Sequence, residues 1–280
     1  MHPLISAADL DKLLARRPET VLLDCSFDLA DTAAGEQAYA EGHLPGARYA
    51  HLDRDLSAPK TGRNGRHPLR ERADYAAWMG SVGITPATPV VAYDRQGGMF
   101  AARAWWVLRW MGHADVALLD GGLPAWQAAG GTPTADVAAA RPAAPYPDLP
   151  PAMPRLDAAQ LQPRLAQVRL LDARAPERFR GEVEPLDPVA GHIPGAVNRF
   201  FKDNLQADGR FKPAEQLRRE FEALLDDDRP VVHTCGSGAT ACHNLLAMEV
   251  AGFGRTHLYP GSWSEWCSDP SRPVANGPAA

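Results

Sequence analysis

The chain repeats itself. VLLDCSFD at 21–28 returns as RLLDARAPERF at 169–179, and EGHLPGARY at 41–49 returns as AGHIPGAVN at 190–198. PVVAYD at 89–94 returns as PVVHTC at 230–235, and LLDGGLPAW at 118–126 returns more loosely as HLYPGSWSEW at 257–266. The pairs His43 and His192, Asp94 and Cys235, and Trp126 and Trp266 lie 149, 141 and 140 residues apart. Four matches in one order at so long a period mean two copies of one domain. A solenoid is excluded, because its repeats run roughly 20–50 residues. Between the copies, residues 131–155 are rich in Ala and Pro and lack apolar periodicity, which reads as a semi-rigid linker. The expected division is a first domain at 1–130, the linker at 131–155 and a second domain at 156–280.

Each copy alternates short apolar runs with helical patterns. TVLLD and PVVAYD read as buried strands. GGMFAARAWWVLRWMGH and TACHNLLAMEVAGFG carry apolar residues at helical spacing and reach glycines suited to close a helix, Gly112 and Gly252. Such alternation predicts α/β domains, each a mostly parallel sheet flanked by helices on both faces. Ligands of such sheets bind at the carboxyl ends of strands. Cys235 stands at one such end and Asp94 at its counterpart.

The N-terminal segment reads as a first helix capped by Ser6 rather than a secretory leader. No apolar run approaches the ~20 residues that span a bilayer. A net charge of −5 argues against a general nucleic-acid binder. The four cysteines are too sparse for a disulfide scaffold, so a cytoplasmic location and reduced thiols are expected, each thiol being core filler or chemistry.

CGSGATA, residues 235–241, is almost bare of side chains. Gly236 and Gly238 let the backbone curl, and a curled run of amides forms an anion-binding nest. The helix that follows adds the positive end of its dipole. A cysteine there is expected to serve as a thiolate nucleophile. The amides of Gly236, Gly238, Ala239 and Thr240 would also stabilise a second, anionic sulfur on Cys235. A buried packing cysteine would not need a loop so stripped. A phosphatase loop needs an arginine to clamp the oxyanion, yet none occurs between Cys235 and Arg255. His233, Cys235, Cys242 and His243 fit no familiar zinc spacing, so no metal is expected.

These residues resemble the tandem-domain sulfurtransferases of the rhodanese family. The resemblance runs from about Leu4 to Pro273 and rests on GHLPGA and GHIPGA, LLDGG and the CGSGATA loop. It implies a silent first copy with Asp94 at the cysteine position and a second copy that carries a persulfide on Cys235. It implies no cofactor. Members that use thiosulfate place Arg and Lys after the cysteine, whereas the neutral Gly236-Ser237-Gly238 suits 3-mercaptopyruvate. Arg178 matches an arginine that holds the donor carboxylate. A second arginine is usual before GHIPGA, but Leu186 and Asp187 stand there, leaving Arg180 as a substitute. Ser237, His67 and Asp53 match a proposed proton relay. Read alone, His67 is equally a solvated loop histidine beside Pro68, and Asp53 a loop cap. His43, His192, Asp24, Asp172, Trp126 and Trp266 recur in both copies and read as features of the fold. The expected acceptor is cyanide, a small thiol or a thioredoxin-like protein. Thiosulfate as donor, and a non-catalytic sulfur-relay or interaction module, are the alternatives.

Overall fold

The continuous apolar runs become parallel strands covered on both faces, which is why they do not alternate with polar residues. The computed structural model describes residues 1–139, 141–225 and 227–278. It divides into a first unit, Met1–Ala58, Arg70–Ala152 and Leu205–Phe211, and a second unit, Pro59–Leu69, Met153–Asn204 and Lys212 onward. Residues 59–69 therefore group with the second unit although they precede the first unit's middle strands in the chain.

In the first unit the order is β1 (Leu4–Ile5), α1 (Ala7–Arg16), β2 (Val21–Asp24), α2 (Ala34–Glu41), β3 (Arg48–Tyr49), α3 (Arg72–Ser81), β4 (Val90–Tyr93), α4 (Ala101–Trp110), β5 (Val116–Leu119) and α5 (Gly122–Ala128). Its sheet runs β1-β5-β4-β2-β3 with every pairing parallel. Ser6 caps α1 as expected, its hydroxyl accepting from Asp9 N at 3.1 Å.

The second unit holds α6 (Ala158–Leu161), β6 (Arg169–Asp172), α7 (Pro176–Phe179), β7 (Ala196–Asn198), α8 (Ala214–Glu222), β8 (Val231–Thr234), α9 (Thr240–Val250), β9 (His257–Leu258) and α10 (Ser262–Trp266). Its sheet, β7-β6-β8-β9, is also all parallel. Copy by copy this is the same order, and a single parallel bridge from Arg155 to Leu258 stands where β1 lies in the first unit. β8 has a neighbour on each side, so Cys235 leaves the sheet from an interior strand, as Asp94 does from β4.

The duplicated residues are structural in both copies. His43 and His192 each bring Nδ1 to 2.7 Å from a backbone oxygen, of Tyr39 and Phe179, and stack on that same ring at 3.9 Å. Each also anchors an antiparallel bridge, to Thr134 and Ala275. Trp126 and Trp266 lie in the cores of their own units. Gly112 and Gly252 follow α4 and α9 with φ of +87° and +78°, where a side chain would be strained.

Residues 131–139 and 141–152, the greater part of the expected linker, group with the first unit. His43 and Thr134 exchange backbone bonds, Tyr146 N donates to Ala76 O, and Ala152 N donates to Arg109 O. Tyr146 buries its ring and meets His113 Nδ1 at 3.1 Å. Proline fixes the strap's direction.

His233, in the middle of β8, is fully buried and neither ring nitrogen has a hydrogen-bond partner among the described residues. Burial lowers its pKa to about 3, with His257 adding to the effect. The unfolded chain takes up that proton near the ordinary histidine value and the folded chain does not. Stability is therefore complete above about pH 6.5 and is lost as pH falls toward 3, by up to ~1.4 kcal/mol per pH unit. His233→Phe is expected to flatten this part of the acid limb in urea unfolding followed from pH 7 to 4. An unchanged slope would remove His233 as its cause.

Candidate active site

β8 delivers Cys235 to the start of a loop whose backbone turns back on the sulfur. Gly238 N donates to Cys235 Sγ at 3.1 Å and Ser237 N at 3.5 Å. Cys235 is 1% exposed. Gly238 has φ +80°, and a Cβ there would lie 2.2 Å from Pro260 O, so no other residue fits without moving the backbone. Ala239 caps α9 and Thr240 opens it. Among the described bonds, Ser237 and Gly238 reach the sulfur, whereas Gly236, Ala239 and Thr240 do not.

The first unit shows what this nest holds. Asp94 Oδ1 accepts from Gln96 N and Gly98 N at 2.9 and 2.8 Å, and Oδ2 from Phe100 N and Ala101 N at 2.8 and 2.9 Å. Here a carboxylate fills the nest, and two of its donors are the amides that open α4. Ala239 and Thr240 occupy the matching place at α9. The two loops share a frame: Leu123 N donates to Asp94 O at 3.0 Å, and Trp263 N to Cys235 O at 2.9 Å.

One residue separates the frames. Gly122 (φ +60°) in the first unit corresponds to Ser262 in the second, and Ser262 is the one non-glycine among the described residues with a left-handed backbone, φ 52°. Its hydroxyl accepts from Cys235 N at 3.1 Å and donates to Tyr259 O at 3.0 Å. The strain places an acceptor under the nucleophile's own amide. Lining up HLYPGSWSEW with LLDGGLPAW exposes this serine, because a glycine needed for its φ has been replaced.

His67 Nδ1 lies 2.6 Å from Ser237 Oγ, and His67 is 3% exposed, not a solvated loop residue. Both belong to the second unit because residues 59–69 do. Asp53, the third residue of the expected relay, belongs to the first unit, where its amide donates to His51 Nδ1 at 3.1 Å.

Arg178 lies beside the loop, its Nη1 and Nη2 being 3.5 and 3.7 Å from the position of a Cβ on Gly236. Arg180 does not take the place of a second arginine: it pairs with Glu182 on the surface, Nε to Oε1 2.7 Å. A second guanidinium beside Gly236, that of Arg66, was missed in the sequence; its Nη2 is 2.6 Å from that Cβ position. Arg66 forks onto Asp187 through Nε and Nη2 at 2.9 and 3.2 Å, and Arg178 pairs with Glu184 at 2.6 Å. Deeper, Arg174 and Asp172 form an ion pair at 2.8 Å with both side chains 1% exposed. Burial alone would lower the Arg174 pKa; Asp172, Glu184 and the Cys235 sulfur more than offset this and keep it raised.

The other cysteines are held as thiols or used in packing. Burial raises Cys25 well above its usual value and pushes Cys267 up to about 11. Cys242 donates its thiol to Gly238 O at 3.2 Å, and His243 Nδ1 faces Asn204 Nδ2 at 3.2 Å. Among the described residues, no cluster of three or more His, Cys, Asp or Glu could hold a metal, and no helix is long and apolar enough to cross a membrane.

A strand-end cysteine in a nest of amides, beside a serine–histidine pair and two arginines, defines a thiolate group-transfer site. Residues 6–129 and 157–269 match the model of the rhodanese-like domain. The chain belongs to the rhodanese family of sulfurtransferases, with two tandem copies of the domain. It is 53% identical over 280 residues to a probable 3-mercaptopyruvate sulfurtransferase of Pseudomonas aeruginosa, covering 98% of each chain. It is 44% identical over 284 residues to a putative thiosulfate sulfurtransferase of Mycobacterium tuberculosis, covering 99% of this chain and 98% of that one. The solved 3-mercaptopyruvate sulfurtransferase from Leishmania major shares the fold with a TM-score of 0.83 at 30% identity, over 94% of this chain and 73% of its own.

Ser262→Ala keeps the left-handed backbone and leaves the Cys235 amide without its acceptor. A loss of about 1–3 kcal/mol is expected. Ser262→Gly loses the same bond but sheds the conformational cost, so it should be more stable than the Ala variant by about 1 kcal/mol. Urea midpoints compare the two, and equal values would show that the φ is not strained.

Proposed function

We propose that this enzyme takes sulfur from 3-mercaptopyruvate onto Cys235 as a persulfide and passes it to a thiol or cyanide. The observation that carries the reading is the neutral nest around Cys235 Sγ with the Ser237–His67 pair beside it. The Cys235 thiolate attacks the donor's sulfur, forming the S–S bond as the donor's C–S bond breaks. The electron pair leaves on carbon as the enolate of pyruvate. The donor's S–H proton passes to Ser237 and His67 and on to that carbon, so that pyruvate and an anionic persulfide result. The amides of Ser237 and Gly238, joined by those that open α9, hold the outer sulfur as an oxyanion hole holds oxygen. The carboxylate that fills the first unit's nest supports room for an anion of that size.

The acceptor's thiolate, or cyanide, then attacks the outer sulfur and releases the Cys235 thiolate. A small thiol or a thioredoxin-like protein suits this step. The reading calls for no cofactor, because Cys235 carries the sulfur and the leaving group carries the electrons. Four free cysteines suit a cytoplasmic, reducing setting.

A second reading has thiosulfate as donor and sulfite as leaving group. The two guanidinium groups beside Gly236 are the observation behind it, since a guanidinium can also bind a dianion.

Incubation with donor followed by peptide mass spectrometry is expected to find one added sulfur on the peptide holding Cys235, and none in Cys235→Ser. An adduct from neither donor would leave only a non-catalytic relay or binding module. His67→Gln is expected to lower kcat with 3-mercaptopyruvate by about 10²–10⁴ and to spare thiosulfate, which brings no S–H proton. Higher kcat/KM for thiosulfate in the unaltered protein would move the assignment to the second reading.

A further inference from the structure

The arginine missing before GHIPGA has a counterpart elsewhere in the chain. We infer that Arg66, carried by the 59–69 segment, is the second cation that recognises the donor's carboxylate and so a specificity-determining residue. This rests on the 2-oxo acid reading above.

Three observations place Arg66 at the donor. Its Nη2 is 2.6 Å from where a Cβ on Gly236 would sit, nearer than either Arg178 Nη atom. Its backbone is tied to the loop through one residue: Arg66 N donates to Ser264 Oγ at 3.0 Å, while Ser264 N donates to Gly236 O at 2.9 Å. Its side chain is aimed by Asp187, which is buried at 3% exposure and engages the Nε–Nη2 edge. That leaves Arg66 Nη1 without a partner among the described residues, and Arg178 Nε is likewise buried without one. Two guanidinium groups thus retain donors beside the crest of the nucleophile's loop. In 3-mercaptopyruvate three bonds separate the sulfur from the carboxylate carbon, roughly 4 Å of reach. A sulfur at Cys235 puts the carboxylate within the range of a group standing over residue 236.

The arrangement also accounts for the bare loop. A side chain at position 236 would meet Arg66, and a Lys or Arg there would face two like charges. The cations that another loop would carry are brought from residues 66 and 178. Asp187 and Glu184 balance them, so the group has no formal excess charge. The cost of desolvating an ion rises with the square of its charge, so a balanced cluster with directed donors favours a monoanion over a dianion.

The test compares 3-mercaptopyruvate with 1-mercaptopropan-2-one, the same thiol without the carboxylate, on the full chain. Arg66→Gln is expected to raise KM for 3-mercaptopyruvate about ten- to a hundredfold. Turnover of the neutral thiol should stay within about twofold, which also shows that the variant folds. Arg66→Lys should recover part of the loss, because a point charge replaces the fork. The paired variant Arg66→Gln with Asp187→Asn, which leaves no lone buried carboxylate, should give the same split. Equal losses for both donors, or an unchanged KM, overturn the inference alone. An unaltered enzyme that does not distinguish the two donors overturns both the inference and the 2-oxo acid reading.

Discussion

The site depends on backbone amides aimed at one sulfur. Gly238 N and Ser237 N point at Cys235 Sγ because the loop bends through a left-handed glycine packed against Pro260. Cys235 in turn is fixed by an interior parallel strand and by the strained Ser262 beneath its amide. A side chain in the loop would compete for the space or the charge. The backbone is the functional group, and most of the surrounding structure keeps it in place.

The first unit serves as an internal control. With Asp94 at the strand end, a carboxylate satisfies four amides by itself, and the nest becomes a structural device. With Cys235 at the strand end, the nest serves a thiolate and its persulfide. One fold thus supports a filled site and a reactive one, the difference lying in the length and chemistry of a single side chain. In the second unit the cations sit outside the loop and are paired with buried carboxylates.

Much of this was legible in the chain because it was written twice. The matched strands, the stacked His43 and His192, the core Trp126 and Trp266 and the strand-end Asp94 each had a copy to be read against. Ser262 was legible in principle from the glycine opposite it. Arg66 was not, since its match in the other copy, NGR at 64–66 with DGR at 208–210, is too short to mark a site. The expected linker was misleading for a related reason. Its composition suggested a spacer, but hydrogen bonds from Thr134, Tyr146 and Ala152 lay it along the first unit, and a composition does not record its partners.

By itself the sequence determined two α/β domains, a nucleophile at a strand end and a loop whose chemistry is its backbone, because these follow from local pattern and the duplication. Tertiary structure alone decided how residues far apart in the chain meet to complete the site. His67 meets Ser237 across 170 residues of chain, and Arg66 meets Asp187 across 121. Both meetings follow from residues 59–69 belonging to the second unit, and no local pattern encodes on which unit a segment of polar residues and glycines will pack.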